Sequence, residues 1–244
     1  MLEFSGGKTV APPHVVVRRE IEVALGRYFP GRIVPVPFQF LGVGLAHAAG
    51  DMSLDVRLEW LSDANDMPTS RRTAIKGLML AWKEHQFLSG VQEIEPLTDL
   101  TAERQFRASL DRWRGAKSKY PPNELEREIY TSTLSDIDEA LREALARHEI
   151  SSDEFALLGE TRCWALLDDM PSRRADMHLK RQWAKNADLP PRDSDLIDWA
   201  FLAVAVSYCD IVVTENQMAD LFSRGFDTRA TVISQLSQLP ELLE

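Results

Sequence analysis

The segment with the clearest pattern is Asp193-Ser-Asp-Leu-Ile-Asp-Trp-Ala-Phe-Leu-Ala-Val-Ala-Val-Ser-Tyr-Cys-Asp-Ile-Val-Val-Thr-Glu-Asn216. Residues 199–206 are all apolar, so a helix here has no solvent face and is expected to lie in the core. The run Ile211-Val212-Val213 is typical of a strand that is buried on both faces of a parallel sheet. The segment therefore predicts an α/β fold.

Polar side chains stand at one end of this helix and one end of this strand. Asp195 and Asp198 open the helix, and Thr214, Glu215 and Asn216 follow the strand. Because ligands bind at the carboxyl ends of strands in open α/β sheets, the helix start and the strand end are expected to face one crevice. Two acids at this spacing are also typical of a helix N-cap followed by an acid in the first turn, which is far commoner than a metal site.

The segment resembles the C-terminal half of PIN-like nuclease domains. In that family an Asp opens a buried helix, an Ala follows about two turns later, and a short strand ends in Thr-x-Asp/Asn. Asp198, Ala205 and Thr214-Glu215-Asn216 match these positions, with a step of sixteen residues from Asp198 to Thr214. The resemblance covers roughly 170–243. It implies a metal-dependent ribonuclease acting on single-stranded RNA and, by analogy, a bacterial-type toxin or defence protein.

Hydrolysis of a phosphodiester with Mg²⁺ or Mn²⁺ requires hard oxygen ligands, usually carboxylates, around the ion. The resemblance makes Asp198 the first expected catalytic metal ligand, with Asn216 beside it. Asp195 is expected as a second ligand or as a group one shell further out. Thr214 and Glu215 are expected to support these ligands, Thr214 through a hydrogen bond to a carboxylate or a metal-bound water.

The N-terminal part departs from the family pattern. PIN-like domains begin with a strand that carries the first catalytic Asp, followed by a helix that carries a Glu, whereas residues 1–10 contain no aspartate. Glu20 and Glu22 are candidates for the second acid, without a supporting motif. Two hypotheses follow. The chain is a nuclease that is impaired or truncated at its N-terminus and holds its metal weakly, or it is a non-catalytic module that binds a protein partner.

A basic segment precedes the apolar helix. Residues 170–186 contain five basic residues and one acid, Asp176. The four expected to bind RNA phosphates are Arg173, Arg174, Lys180 and Arg181. Trp183 and His178 are then expected to stack on an unpaired base. The alternative is an amphipathic helix whose basic face is solvated and whose Met177, Leu179 and Trp183 pack inward.

The remaining chain is mainly helical in pattern. Helices are predicted over 13–29, 71–88, 101–117, 121–149 and 152–167. The chain then divides into an N-terminal helix and extended segment (1–68), a helical block (69–168) and the PIN-like part (169–244). The expected architecture is a small, mainly parallel sheet in three α/β/α layers plus a helical subdomain, and the helical block is the expected surface for a protein partner.

Composition narrows the class of protein. With 44% hydrophobic and 27% charged residues in 244, the chain resembles an ordinary soluble globular protein. Cys163 and Cys209 offer neither a disulfide framework nor a zinc spacing and fit a cytoplasmic location. Without a long apolar run or a signal peptide, neither membrane insertion nor secretion is expected. The net charge of −10 argues against a general nucleic-acid coat protein but is compatible with a nuclease that has one basic patch.

Overall fold

The computed structural model describes residues 8–35, 38–43, 47, 101–188 and 195–239. The chain forms two compact units: Met1–Val15 with Phe38–Leu100, and Val16–Pro37 with Thr101–Glu244. This division differs from the boundaries expected from sequence, because residues 101–168 belong to the same unit as the C-terminal α/β part. The helix predicted over 71–88 lies outside the described residues.

The described part of the first unit contains a pair of short strands. Strand β1 (Lys8–Val10) pairs in antiparallel fashion with β2 (Leu41–Val43). The ladder is continued by the N–H of Ala11, which donates to the carbonyl of Phe40 at 2.9 Å. A Cβ at Gly42 would overlap the ring of His47, so a larger residue at that point of β2 would require this ring to move.

Helices make up most of the described chain. In order, they are α1 (Pro13–Tyr28), α2 (Thr101–Trp113), a 3-10 turn (Ala116–Ser118), α3 (Pro122–Asp136), α4 (Asp138–Arg147), α5 (Ser152–Ala156), α6 (Gly159–Asp168), α7 (Pro171–Lys185), α8 (Asp195–Tyr208) and α9 (Asn216–Ser223). A second 3-10 turn covers Leu236–Gln238. Helices α1, α3 and α7 each begin at a proline, whose missing N–H costs nothing in the first turn.

Two of the predicted helices are wrong because each is broken into two. The helix expected over 121–149 forms α3 and α4, with Ile137 between them outside helical geometry at φ −108°. The helix expected to end at residue 167 forms α5 and α6, and Gly159 adopts a left-handed conformation with φ 74° at the break. The apolar stripe of Ile129, Ile137 and Leu141 stays buried across the first break, so the periodicity alone did not reveal it.

The second unit contains a parallel pair of strands. Strand β3 (Ile211–Val213) pairs in parallel with β4 (Thr231–Ile233), with Val212 opposite Val232. Helix α9 provides the crossover between them. This finding confirms the predicted strand at 211–213. The expected burial of the strand on both faces is wrong, because Val213 is 41% exposed. The described chain is of mixed α and β class, with helices predominating.

Helix α7 lies at the centre of the second unit. It packs against α8, α3, α2, α6 and α9. Met177, Leu179 and Trp183 are fully buried, which confirms the inward packing that one interpretation of this helix predicted. Burying a side chain of this size stabilises the fold by about 1.5–3 kcal/mol. The position of α7 therefore fixes the neighbouring α8, which carries the predicted site.

Candidate functional site

The start of α8 presents a carboxylate to solvent. Asp198 lies in the first turn and is exposed, whereas the next residue, Trp199, is buried. Asp195 is the first residue of the helix, and its side chain lies outside the described residues. The structure thus places one predicted ligand at the open end of a largely buried helix. The expectation that this helix has no solvent face is wrong, because Phe201 is 54% exposed.

The polar residues after β3 are also accessible. The N–H of Thr214 donates to the carbonyl of Ile233 at 2.9 Å, so this half-buried residue continues the parallel ladder. Glu215 and Asn216 are exposed, and Asn216 begins α9. The predicted strand-end residues therefore lie where the parallel strand gives way to a helix.

A two-residue segment, Cys209-Asp210, joins α8 to β3, and the two elements are in contact. Asp198 lies ten residues before the end of the helix, and Asn216 lies three residues after the end of the strand. That their side chains approach one another stays a prediction.

The candidates for a further acid lie elsewhere. Among residues that the structure describes, no group of three His, Cys, Asp or Glu side chains could hold a metal ion. Glu20 is 4% exposed and binds Ser172 and Tyr208. Glu22 is buried as well and pairs with two arginines. Both carboxylates are thus committed to contacts within the protein.

Lys180 is the clearest departure from the expected RNA-binding surface. Its side chain is 6% exposed. The ammonium donates to Thr133 Oγ1 at 2.9 Å and to Asp136 Oδ2 at 2.7 Å, and it lies 3.1 Å from Asp176 Oδ2. A buried ammonium between two carboxylates is closed to an RNA backbone, so its placement favours a structural role.

The arginines of α7 divide between interior and surface. Arg181 is half-buried, makes three N–H···O contacts of 2.8–3.1 Å with Glu126, and lies over the ring of Tyr130 at 5.7 Å. The side chain of Arg173 is only 12% exposed, while Arg174 is exposed. Of the four predicted phosphate ligands, Arg174 is the one with an exposed side chain.

The buried network around Asp176 was not predicted from the sequence. Its Oδ1 accepts a hydrogen bond from Trp199 Nε1 at 2.7 Å, and its Oδ2 lies near Lys180 and Arg173. Burial raises the pKa of Asp176, but the charges of Lys180 and Arg173 and the hydrogen bonds outweigh this effect and hold the pKa below its ordinary value of 3.8. The spacing of Asp176, Lys180 and Trp183 could have indicated this network, because the three residues share one helical face.

A second buried carboxylate, Glu20, caps the start of α7. It accepts hydrogen bonds from the N–H of Ser172 at 2.8 Å, from the Ser172 hydroxyl, and from the hydroxyl of Tyr208 at 2.8 Å. Burial raises the pKa of Glu20 above its ordinary 4.5, although these bonds and Arg173 oppose the shift. The bond to Ser172 satisfies one of the N–H groups that a helix start leaves without an intrahelical partner.

Comparisons with protein-family models, with curated proteins and with solved structures give no match. Among the described helices, none has the length and apolar character needed to span a membrane. The geometry at the ends of α8 and β3 is therefore the basis for the functional argument.

Proposed function

We propose that this chain is a PIN-like metal-dependent ribonuclease that hydrolyses single-stranded RNA with Mg²⁺ or Mn²⁺. One observation carries the proposal. Asp198, in the first turn of α8, and Asn216, three residues after the end of the parallel strand β3, are both exposed. The carboxyl ends of strands are where ligands bind in open α/β sheets, which supports a site that includes Asn216.

Each residue of the site has an assigned role. The carboxylate of Asp198 and the amide oxygen of Asn216 hold the ion, and Asp195 supplies a second carboxylate. Thr214 donates its hydroxyl hydrogen to a ligand oxygen, and Glu215 adds negative charge beside it. The bound ion supplies an activated water and stabilises the leaving oxygen. With few carboxylates the ion is held weakly, so activity is expected only at high metal concentration.

The RNA backbone is guided by the exposed part of α7 in this proposal. Arg174 offers a guanidinium that can bind a phosphate through two parallel hydrogen bonds. Lys185, the last residue of α7, is exposed as well. Lys180, Arg181 and Arg173 contribute through the stability of α7 rather than through contact with RNA.

The second candidate is a non-catalytic module that binds a protein partner through its helices. The ion pairs of Lys180 with Asp136 and of Arg181 with Glu126 favour it. These pairs commit two cations of α7 to acids of α3, which leaves fewer cations for phosphate contacts than the sequence predicted.

Cleavage of a labelled single-stranded RNA in Mn²⁺ separates the two candidates. The variant Asp198→Ala is compared with Glu128→Ala, which removes an exposed acid of α3. We expect Asp198→Ala to lower the rate at least about a hundredfold, because a metal ion contributes several kcal/mol to such reactions. We expect Glu128→Ala to retain the wild-type rate. EDTA should abolish cleavage by the wild-type chain.

Circular dichroism and thermal unfolding of both variants verify that the fold is intact. Cleavage by Asp198→Ala at the wild-type rate contradicts the proposed site. A well-folded wild-type chain that cleaves no RNA contradicts the nuclease and favours the partner-binding module.

A further inference from the structure

The buried carboxylate of Asp176 contacts the residue next to the proposed metal ligand Asp198. We propose that Asp176 is a positioning residue: through its hydrogen bond to Trp199 it fixes the rotation of α8 and holds Asp198 toward solvent. The catalytic meaning of this inference rests on the proposed nuclease function. The positioning itself is a property of the fold and is testable without activity.

Trp199 is anchored on several sides. Its Nε1 donates to Asp176 Oδ1 at 2.7 Å, and the residue is 3% exposed. Its ring meets Phe106 edge to face at a centroid distance of 5.6 Å and Trp183 at 5.4 Å. A large side chain held by one directional bond and two ring contacts has little freedom to turn, so it fixes the helix that carries it.

Helix geometry transmits this constraint to Asp198. Successive side chains on an α-helix differ in direction by about 100°, since a turn contains 3.6 residues. With Trp199 directed into the core, Asp198 is directed to the surface, as observed. The first turn of a helix lacks intrahelical acceptors for its N–H groups and tends to fray, so an anchor at Trp199 has its largest effect on Asp198.

Asp176 is itself held in one orientation. The ammonium of Lys180 lies 3.1 Å from Oδ2, which leaves Oδ1 to the indole of Trp199. Lys180 is held in turn by Asp136 and Thr133 of α3. A chain of buried polar contacts thus runs from α3 through α7 to the start of α8.

Trp183 provides a matched control for Trp199. It is fully buried and contacts Trp199, but its Nε1 has no hydrogen-bond partner in the described part of the chain. Trp199→Phe and Trp183→Phe therefore remove the same atoms from neighbouring buried positions, and only Trp199→Phe removes a hydrogen bond. Two variants of Asp176 complete the set. Asp176→Asn keeps an oxygen acceptor and leaves Lys180 its pair with Asp136, whereas Asp176→Leu removes the acceptor.

Amide hydrogen exchange of residues 199–203 measures the anchoring directly, because these amides donate to carbonyls of the first turns of α8. Rates are expressed relative to amides of α3, which corrects for changes in global stability. We expect Trp199→Phe and Asp176→Leu to accelerate this exchange about tenfold or more beyond Trp183→Phe, since hydrogen bonds to charged groups are the stronger ones. Asp176→Asn should lie between wild type and Asp176→Leu, because its single amide oxygen can accept from Trp199 or face Lys180 but not both. Equal acceleration in the two Trp variants, or no acceleration in Asp176→Leu, overturns the proposal.

The Mn²⁺ concentration for half-maximal cleavage gives a second readout. We expect this concentration to be several-fold higher for Trp199→Phe than for Trp183→Phe. The cleavage rates of the two variants should differ less at saturating Mn²⁺. Equal values for the two variants contradict the catalytic consequence of the positioning. If the wild-type chain cleaves no RNA, the proposed function fails, while the exchange experiment still decides whether Asp176 positions α8.

Discussion

The charged residues of α7 and the polar residues at the starts of α8 and α9 differ in their surroundings. On α7, Asp176 and Lys180 are buried and bind each other and the neighbouring helices. Asp198 in the first turn of α8 and Asn216 at the start of α9 face solvent. A helix rich in charge thus lies at the centre of the unit, while an apolar helix carries the exposed acid. The difference shows that charge composition does not tell which helix faces solvent when other elements supply counter-charges.

Removal of the buried cation should have the largest effect on stability. We expect Lys180→Met to lower the free energy of unfolding by about 3–5 kcal/mol, because it leaves the buried carboxylate of Asp176 without its nearest cation. Arg174→Met, at an exposed position of the same helix, should change it by less than about 0.5 kcal/mol. Urea unfolding measures the stability of both variants. Equal decreases in the free energy of unfolding would contradict the distinction between buried and exposed cations on α7.

The cap on α7 should contribute less. We expect Glu20→Gln to cost about 1–3 kcal/mol, because an amide offers one acceptor oxygen to the three donor groups of Ser172 and Tyr208. Glu128→Gln, at an exposed position of α3, serves as the control and should be neutral. A neutral Glu20→Gln would mean that the cap adds nothing to the position of α7.

The two buried carboxylates should respond to pH in opposite directions. Burial raises the pKa of Glu20 above 4.5, so its contribution is fully present below pH 4.5 and is lost as the pH rises through the higher pKa of the folded state. The pKa of Asp176 is held below 3.8, so its contribution is present above pH 3.8 and is lost as the pH falls through the lower folded value.

Urea unfolding between neutral pH and pH 4.5 tests the sign for Glu20. The wild-type chain should gain stability relative to Glu20→Gln as the pH falls. A relative loss over that range would show that the hydrogen bonds of Ser172 and Tyr208 outweigh burial and lower this pKa.

The smallest expected effect concerns RNA binding. Arg174→Met should reduce the slope of log affinity against log salt by about 0.7, the value for one phosphate contact on a single strand. Arg181→Met should leave the slope unchanged, because that guanidinium is paired with Glu126. A larger change in this slope for Arg181→Met than for Arg174→Met would show that Arg181, rather than Arg174, contacts the RNA backbone.

Local patterns were sufficient for the C-terminal part of the fold. The apolar run of α8 and the β-branched residues of β3 each decide local structure through a few neighbouring residues. The surroundings of α7 were not predictable in this way. The partner of Ser172 is Glu20, 152 residues away, and that of Lys180 is Asp136, 44 residues away. Asp198 and Asn216 were proposed as ligands from the resemblance to PIN-like domains, and their role stays a prediction.

Line broadening by Mn²⁺ in a ¹H–¹⁵N NMR spectrum locates the metal without relying on activity. We predict that the amides of Asp198, Glu215 and Asn216 broaden first, and that this broadening is lost in Asp198→Ala. Broadening that begins instead at another acidic surface, such as Asp168-Asp169 at the end of α6, and that persists in Asp198→Ala would contradict a metal site at the ends of α8 and β3.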